Sequence, residues 1–167
     1  MLYLLDANVL IAADRDYYPL AAVPEFWEWL LYQAQQSNVK VCVEVYEEVT
    51  EGTGDLVNWL KRDEVRQALL LDEESDQALV ANVVNHGYAP DLTDIELPVM
   101  GRDPFLIAHA MKDIGNRTVV TGEASKPTKT RQNKHIPDVC TVLGVKWCPP
   151  FKFFKDLGFS TAWKLVT

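Results

Sequence analysis

Cysteine, histidine and glycine are all scarce here, at 3, 3 and 8 among 167 residues. Cys42, Cys140 and Cys148 form no C-x-x-C pair. That sparse, odd set does not suit a disulfide framework and fits a reducing, cytoplasmic setting. No apolar run reaches the length of a membrane span, so no membrane association is expected. The apolar start, residues 1–14, has no basic leading segment, and Asp6 interrupts it. It reads as a buried strand rather than a secretion signal. Asn116-Arg117-Thr118 matches the glycosylation pattern and, without such a signal, is read as chance. There is no internal repeat and no low-complexity tract. Positive charge is also in deficit, with a net charge of −8. This argues against a protein that coats nucleic acid by charge alone. It leaves room for an acidic metal site, where bound cations reverse the local sign.

What is present is one domain's worth of chain, 48% hydrophobic, with strands and helices alternating. Strands are expected at residues 2–5, 39–43, 118–121 and 145–147, with a short extended piece at 69–71. Helices are expected at 7–13, 24–36, 44–51, 55–61, 73–85, 103–114, 137–143 and 150–157. Residues 88–101 read as a loop. Asp103-Pro104 reads as an N-cap followed by proline at the first helical position. The order predicts a single α/β domain over residues 1–159, a central parallel sheet with helices on both faces. Residues 160–167 form a tail of uncertain structure.

Acids recur where such a sheet gathers ligands, beyond the carboxyl ends of its strands. Asp6 ends the first strand, and Glu48 lies on the helix after the second. Asp103 opens the helix that feeds the third strand, and Glu123 follows that strand. Asp138 opens the helix before the last. Carboxylate oxygens are hard ligands for Mg²⁺ or Mn²⁺. Two such ions can activate water and stabilise the leaving oxygen of an in-line phosphoryl displacement. Taken singly, each acid also has an ordinary reading. Asp6 and Asp103 could be helix caps, and the others solvated surface groups.

In LLDANVLI (Leu4 to Ile11) the chain resembles the opening motif of PIN-domain ribonucleases, an Asp followed two positions later by Asn or Ser. VCVEVYEEVTEG (Val41 to Gly52) is similar to their second motif and places its metal-site Glu on Glu48. DPFLIAHA (Asp103 to Ala110) is similar to the third. VVTGE (Val119 to Glu123) is similar to the fourth, with Glu123 where Asp is usual. The aromatic segments Tyr17-Tyr18-Pro19 and FWEW (residues 26–29), with HIPDVC (residues 135–140), resemble a less-studied branch of that superfamily. The resemblance implies a Mg²⁺- or Mn²⁺-dependent endoribonuclease. Asp6, Glu48 and Asp103 would bind metal, and Glu123 or Asp138 would complete the set. It also implies the toxin of a toxin–antitoxin pair, with an antitoxin protein as partner. The rival readings are a non-catalytic scaffold that binds RNA or protein, and a metal-dependent phosphatase.

Asn8 and Thr121 are candidates to orient carboxylates or a water at the metal; otherwise they make ordinary turn hydrogen bonds. The acid-free stretch 124–136 carries Lys126, Lys129, Arg131 and Lys134, candidates for gripping RNA phosphates. Arg102 is a further, weaker candidate. Phe26 and Trp27 belong to the core. Trp29, at the edge of the apolar face, is a candidate for a homodimer or antitoxin contact. His86, His109 and His135 show no ligand spacing with the cysteines, so no zinc site is expected.

Overall fold

The structure, a computed structural model, describes residues 1–165. Its centre is β1 (Leu2–Leu5), whose Leu4 and Leu5 are fully buried. A strand covered on both faces needs a continuous apolar run rather than alternation, which is what these residues supply. β2 (Val39–Lys40) pairs with β1 on one side and β3 (Arg117–Val120) on the other, and β4 (Lys146–Cys148) lies beyond β3. All pairings are parallel, in the order β2-β1-β3-β4. The expected architecture is therefore present: an α/β domain with helices on both faces of a parallel sheet. The chain passes from β1 to β2 on one side and then crosses to β3 on the other, so the strand order reverses between β1 and β3, the place where such sheets form a crevice beyond their carboxyl ends.

The helices are α1 (Ala7–Ala12), α2 (Pro24–Gln35), α3 (Val43–Thr50), α4 (Asp55–Leu60), α5 (Asp63–Leu69), α6 (Gln77–Asn82), α7 (Asp103–Met111), α8 (Ile136–Leu143) and α9 (Pro150–Asp156). A π turn, Ala13–Tyr17, prolongs α1, and another, Val83–Tyr88, prolongs α6. α5 is an element absent from the expected set. Its anchors are Val65 and Leu69, one turn apart and both buried, a pattern too short to stand out by periodicity. α6 starts later than expected because Asp76 accepts hydrogen bonds from the amides of Ala78 and Leu79 and so caps it.

Two further boundaries bear on the site. The alternation Val39-Lys40-Val41 stays strand-like only to a single bridge between Val41 and Leu70. The chain then turns at Cys42, the N-cap of α3, earlier than expected. In α7 the N-cap is Arg102, and Asp103 is the first helical residue, with no side-chain cap bond. The cap expected of Asp103 is therefore not made, and its carboxylate is free for other work.

One aromatic cluster clamps α9 against α2. Trp29 is 1% exposed and packs on Phe153 at 5.7 Å and Phe159 at 5.0 Å between ring centroids. It is core, which removes it as an interface residue. Each such pair contributes about 0.5–1.5 kcal/mol beyond its burial. Trp163 extends the domain into the expected tail. It is buried, and its indole N–H donates to the Glu25 carbonyl at 3.0 Å. The remainder of that tail, residues 166–167, lies outside the described residues. Among the described residues, no helix is long and apolar enough to cross a membrane.

Candidate active site

Parallel register delivers two residues to the crevice together. Leu5 pairs with Val120, so the next residues, Asp6 and Thr121, leave adjacent strands side by side. The Asp6 amide donates to the Val120 carbonyl at 3.0 Å. The Thr121 hydroxyl donates to Asp6 Oδ2 at 2.9 Å. Asp6 occupies the N-cap position of α1, yet its side chain makes no cap hydrogen bond. Thr121 Oγ1 also accepts from the Glu123 amide at 3.2 Å, tying the turn after β3 to the same point.

Four carboxylates, Asp6, Glu48, Asp103 and Glu123, stand near enough to act on one another's charge, although among the described residues no three of them bring ligand atoms within 4.8 Å of one another. Burial pushes the Asp103 carboxyl up to about 8, and the negative charges of Asp6, Glu123 and Glu48 add to that push. Burial also raises Asp6 to about 6, against the Thr121 hydrogen bond, with Glu123 and Glu48 contributing. Glu48 is raised by partial desolvation, which the Arg102 charge opposes. These groups come from β1, α3, the start of α7 and the turn after β3. Asp6 is buried, Asp103 and Glu123 are half-buried and Glu48 is exposed, and like charges brought near one another repel unless protons or cations intervene. The donors are all carboxylate oxygens, a hard set that fits Mg²⁺ or Mn²⁺. The hydroxyl of Tyr88, a residue buried to 3% exposure, faces Asp103 without a hydrogen bond of full geometry. In the sequence that tyrosine stands only at the start of a loop. Its placement depends on Gly87, where an added Cβ would sit 2.6 Å from Val139 Cγ1 on α8.

Glu123 also anchors a helix. Its Oε2 accepts the Ile136 amide at 2.8 Å, at the start of α8. Asp138 is engaged differently. Its oxygens accept from the Ser125 hydroxyl at 2.5 Å and the Lys126 amide at 2.8 Å. Burial opposes those bonds, but they hold the Asp138 carboxyl below its ordinary value. It is not among the charges acting most strongly on Asp6 or Asp103. Of the two alternatives, the fold thus brings Glu123 into the cluster.

The basic stretch divides in the same way. Arg131 pairs with Asp91 and Glu96, each at 2.8 Å, fastening the long loop to the basic one. Lys134 donates to the carbonyls of Gly87 and Tyr88 at 2.8 and 3.0 Å. Both are structural ties rather than free phosphate grips. Lys126 and Lys129 are exposed and, among the described residues, join no ion pair. Among the described residues, the Asn8 side chain makes no hydrogen bond to Asp6. It lines a groove of about 430 Å³ with Glu123, Arg15, Tyr17 and Phe151. Tyr17 and Phe151 are half exposed and meet edge to face at 5.2 Å.

A second polar cluster lies outside every expectation from sequence. Cys42, Glu44 and His109 present S, O and N atoms that all lie within 4.8 Å of one another. The spacing of histidines and cysteines predicts no zinc site; the fold nevertheless brings His109 beside Cys42, because the start of α3 packs beside the last turn of α7. Burial pushes the Cys42 thiol up to about 12. Burial also lowers His109, against the Glu44 charge. Ser75 donates to Glu44 Oε1 and stands 3.3 Å from His109 Nε2. No local spacing could have announced this contact.

The family described as "Domain of unknown function (DUF4411)" matches residues 3–161. The chain belongs to the DUF4411 family. No curated protein is matched by it. The matched span of this DUF4411 chain contains every residue of both clusters, so each lies within the family's own domain.

Proposed function

We propose that this DUF4411 domain is a divalent-metal-dependent endoribonuclease with a PIN-like site. The observation that carries the reading is the carboxylate quartet at the β1/β3 crevice, in which Asp103 is pushed up to about 8 by burial and by three other acids. Asp6, Glu48, Asp103 and Glu123 would hold Mg²⁺ or Mn²⁺. When bound, such ions supply activation of water and charge stabilisation for in-line displacement at phosphorus. The chain's own groups do the rest. Thr121 holds the Asp6 carboxylate in one orientation. Arg102 places a positive charge beside Glu48. Lys126 and Lys129 lie on the loop that follows Glu123 and suit phosphate contacts. The rings of Tyr17 and Phe151 flank the groove at Glu123 and offer a face for an unstacked base.

The resemblance to PIN-domain ribonucleases further implies a toxin of a toxin–antitoxin pair, acting in the cytoplasm and silenced by a partner protein. The deciding experiment is cleavage of a structured RNA panel with Mn²⁺, beside a chelated control and the Asp6→Asn chain. Metal-dependent cutting that Asp6→Asn abolishes is expected. Metal-dependent cutting retained in Asp6→Asn would overturn the assignment. Binding without cutting would make the domain a scaffold, and activity on a phosphomonoester alone would make it a phosphatase.

A further inference from the structure

We propose that Cys42, Glu44 and His109 form a second metal site, built for a zinc-class cation and separate from the carboxylate crevice. Its chemistry differs from that of the crevice. One sulfur, one imidazole and one carboxylate make a borderline-soft donor set, which favours Zn²⁺ over Mg²⁺.

The spacing agrees. Glu44 Oε2 and His109 Nε2 are 3.4 Å apart. A charge-assisted hydrogen bond would bring them to about 2.7–2.9 Å. Two ligands held at about 2.0–2.1 Å from one tetrahedral ion stand roughly 3.3–3.4 Å apart. Glu44 Oε2 is moreover buried without a hydrogen-bond partner, a rare and unfavourable condition for a carboxylate oxygen. The enclosure is nearly complete, with Cys42 at 0%, His109 at 1% and Glu44 at 8% exposure.

Charge balances as well. A dication, one thiolate, one carboxylate and a neutral imidazole sum to zero, the condition a buried site requires. Binding releases the Cys42 thiol proton to solvent and involves no redox change. Ser75 holds Glu44 Oε1, which leaves Oε2 turned toward the ion. Orientation of a ligand by such a partner is the usual arrangement around bound metals.

The location assigns the role. Cys42 and Glu44 begin α3, and His109 lies in the last turn of α7. The same two helices carry Glu48 and Asp103. An ion at this point staples α3 to α7 and sets the separation of two members of the crevice. With three protein ligands the fourth position falls to water, and the site stands whether or not the crevice cuts RNA.

The test uses the full chain, expressed without a metal-binding tag. Elemental analysis after dialysis should find a single zinc per chain. Replacement by Co²⁺ should give a thiolate-to-cobalt absorption band. Cys42→Ser should lose that band, and His109→Gln should lose zinc. Asp6→Asn, which alters only the crevice, should keep both. If a ligand variant fails to fold, the cobalt spectrum of the unaltered chain still decides. No thiolate band in that spectrum, or zinc retained at full stoichiometry by folded Cys42→Ser, would overturn the site. The cluster would then be a metal-free hydrogen-bonded knot. The readouts are optical and elemental, so they are independent of the ribonuclease assays.

Discussion

Thr121 reaches across from β3 to hold Asp6 at the end of β1, through a 2.9 Å hydrogen bond between residues 115 positions apart in the chain. A buried carboxylate held by one hydroxyl has its orientation set by that bond. Thr121→Val keeps the shape and removes the donor. It should lower metal affinity or RNA cleavage roughly 10–100-fold, as for other partners that orient a metal ligand. Mn²⁺ titration and single-turnover cleavage would measure this. Full activity would show that Asp6 needs no such support.

Stability should depend on pH in a way set by the crevice. Asp6 and Asp103 rise from the ordinary 3.8 to about 6 and about 8. Between their ordinary and raised values, the metal-free folded chain keeps protons that the unfolded chain has released. Their contribution is thus fully present below about pH 4. It is lost as the pH climbs toward 8. In chelator, thermal melting should fall from pH 6 to pH 8, and Asp103→Asn should flatten that slope. Millimolar Mn²⁺ should raise the melting temperature through binding linkage, more at pH 8 than at pH 6. A melting temperature insensitive to Mn²⁺ at both values would count against a metal-binding crevice.

Glu123 and Asp138 should separate cleanly. Glu123→Gln should reduce the Mn²⁺-induced rise in melting temperature. Asp138→Asn should leave that rise intact while loosening the loop it pins through Ser125 and Lys126. Faster limited proteolysis within residues 124–130 would report that loosening. The reverse assignment would place Asp138 in the metal set.

Among the basic residues, Lys126→Ala with Lys129→Ala should weaken RNA binding and flatten its salt dependence. Each lost contact to a single strand is worth about 0.7 in the log–log slope. Arg131→Ala should instead lower thermal stability by releasing Asp91 and Glu96, with the salt slope little changed. Binding isotherms at several salt concentrations, beside melting curves, would distinguish the two.

Local pattern carried much of this. The apolar runs at β1 and β3, the Asp-Pro start near α7 and the alternation of strands with helices all follow from short-range rules. The acids could be placed at strand ends for the same reason, since a strand's carboxyl end is visible one residue at a time. By itself, then, the sequence determined the α/β class and the positions where carboxylates leave the sheet. Tertiary structure alone decided which side chains face one another. Only packing joined Cys42 to His109, because no spacing rule links the start of α3 with the end of α7. Only packing gave Arg131 its acidic partners on a distant loop and turned Asp138 toward Ser125. It also buried Trp29, which the helical pattern had left at the edge of its apolar face. Contacts of this kind depend on how whole elements are oriented, and residues distant in the chain carry no local trace of that.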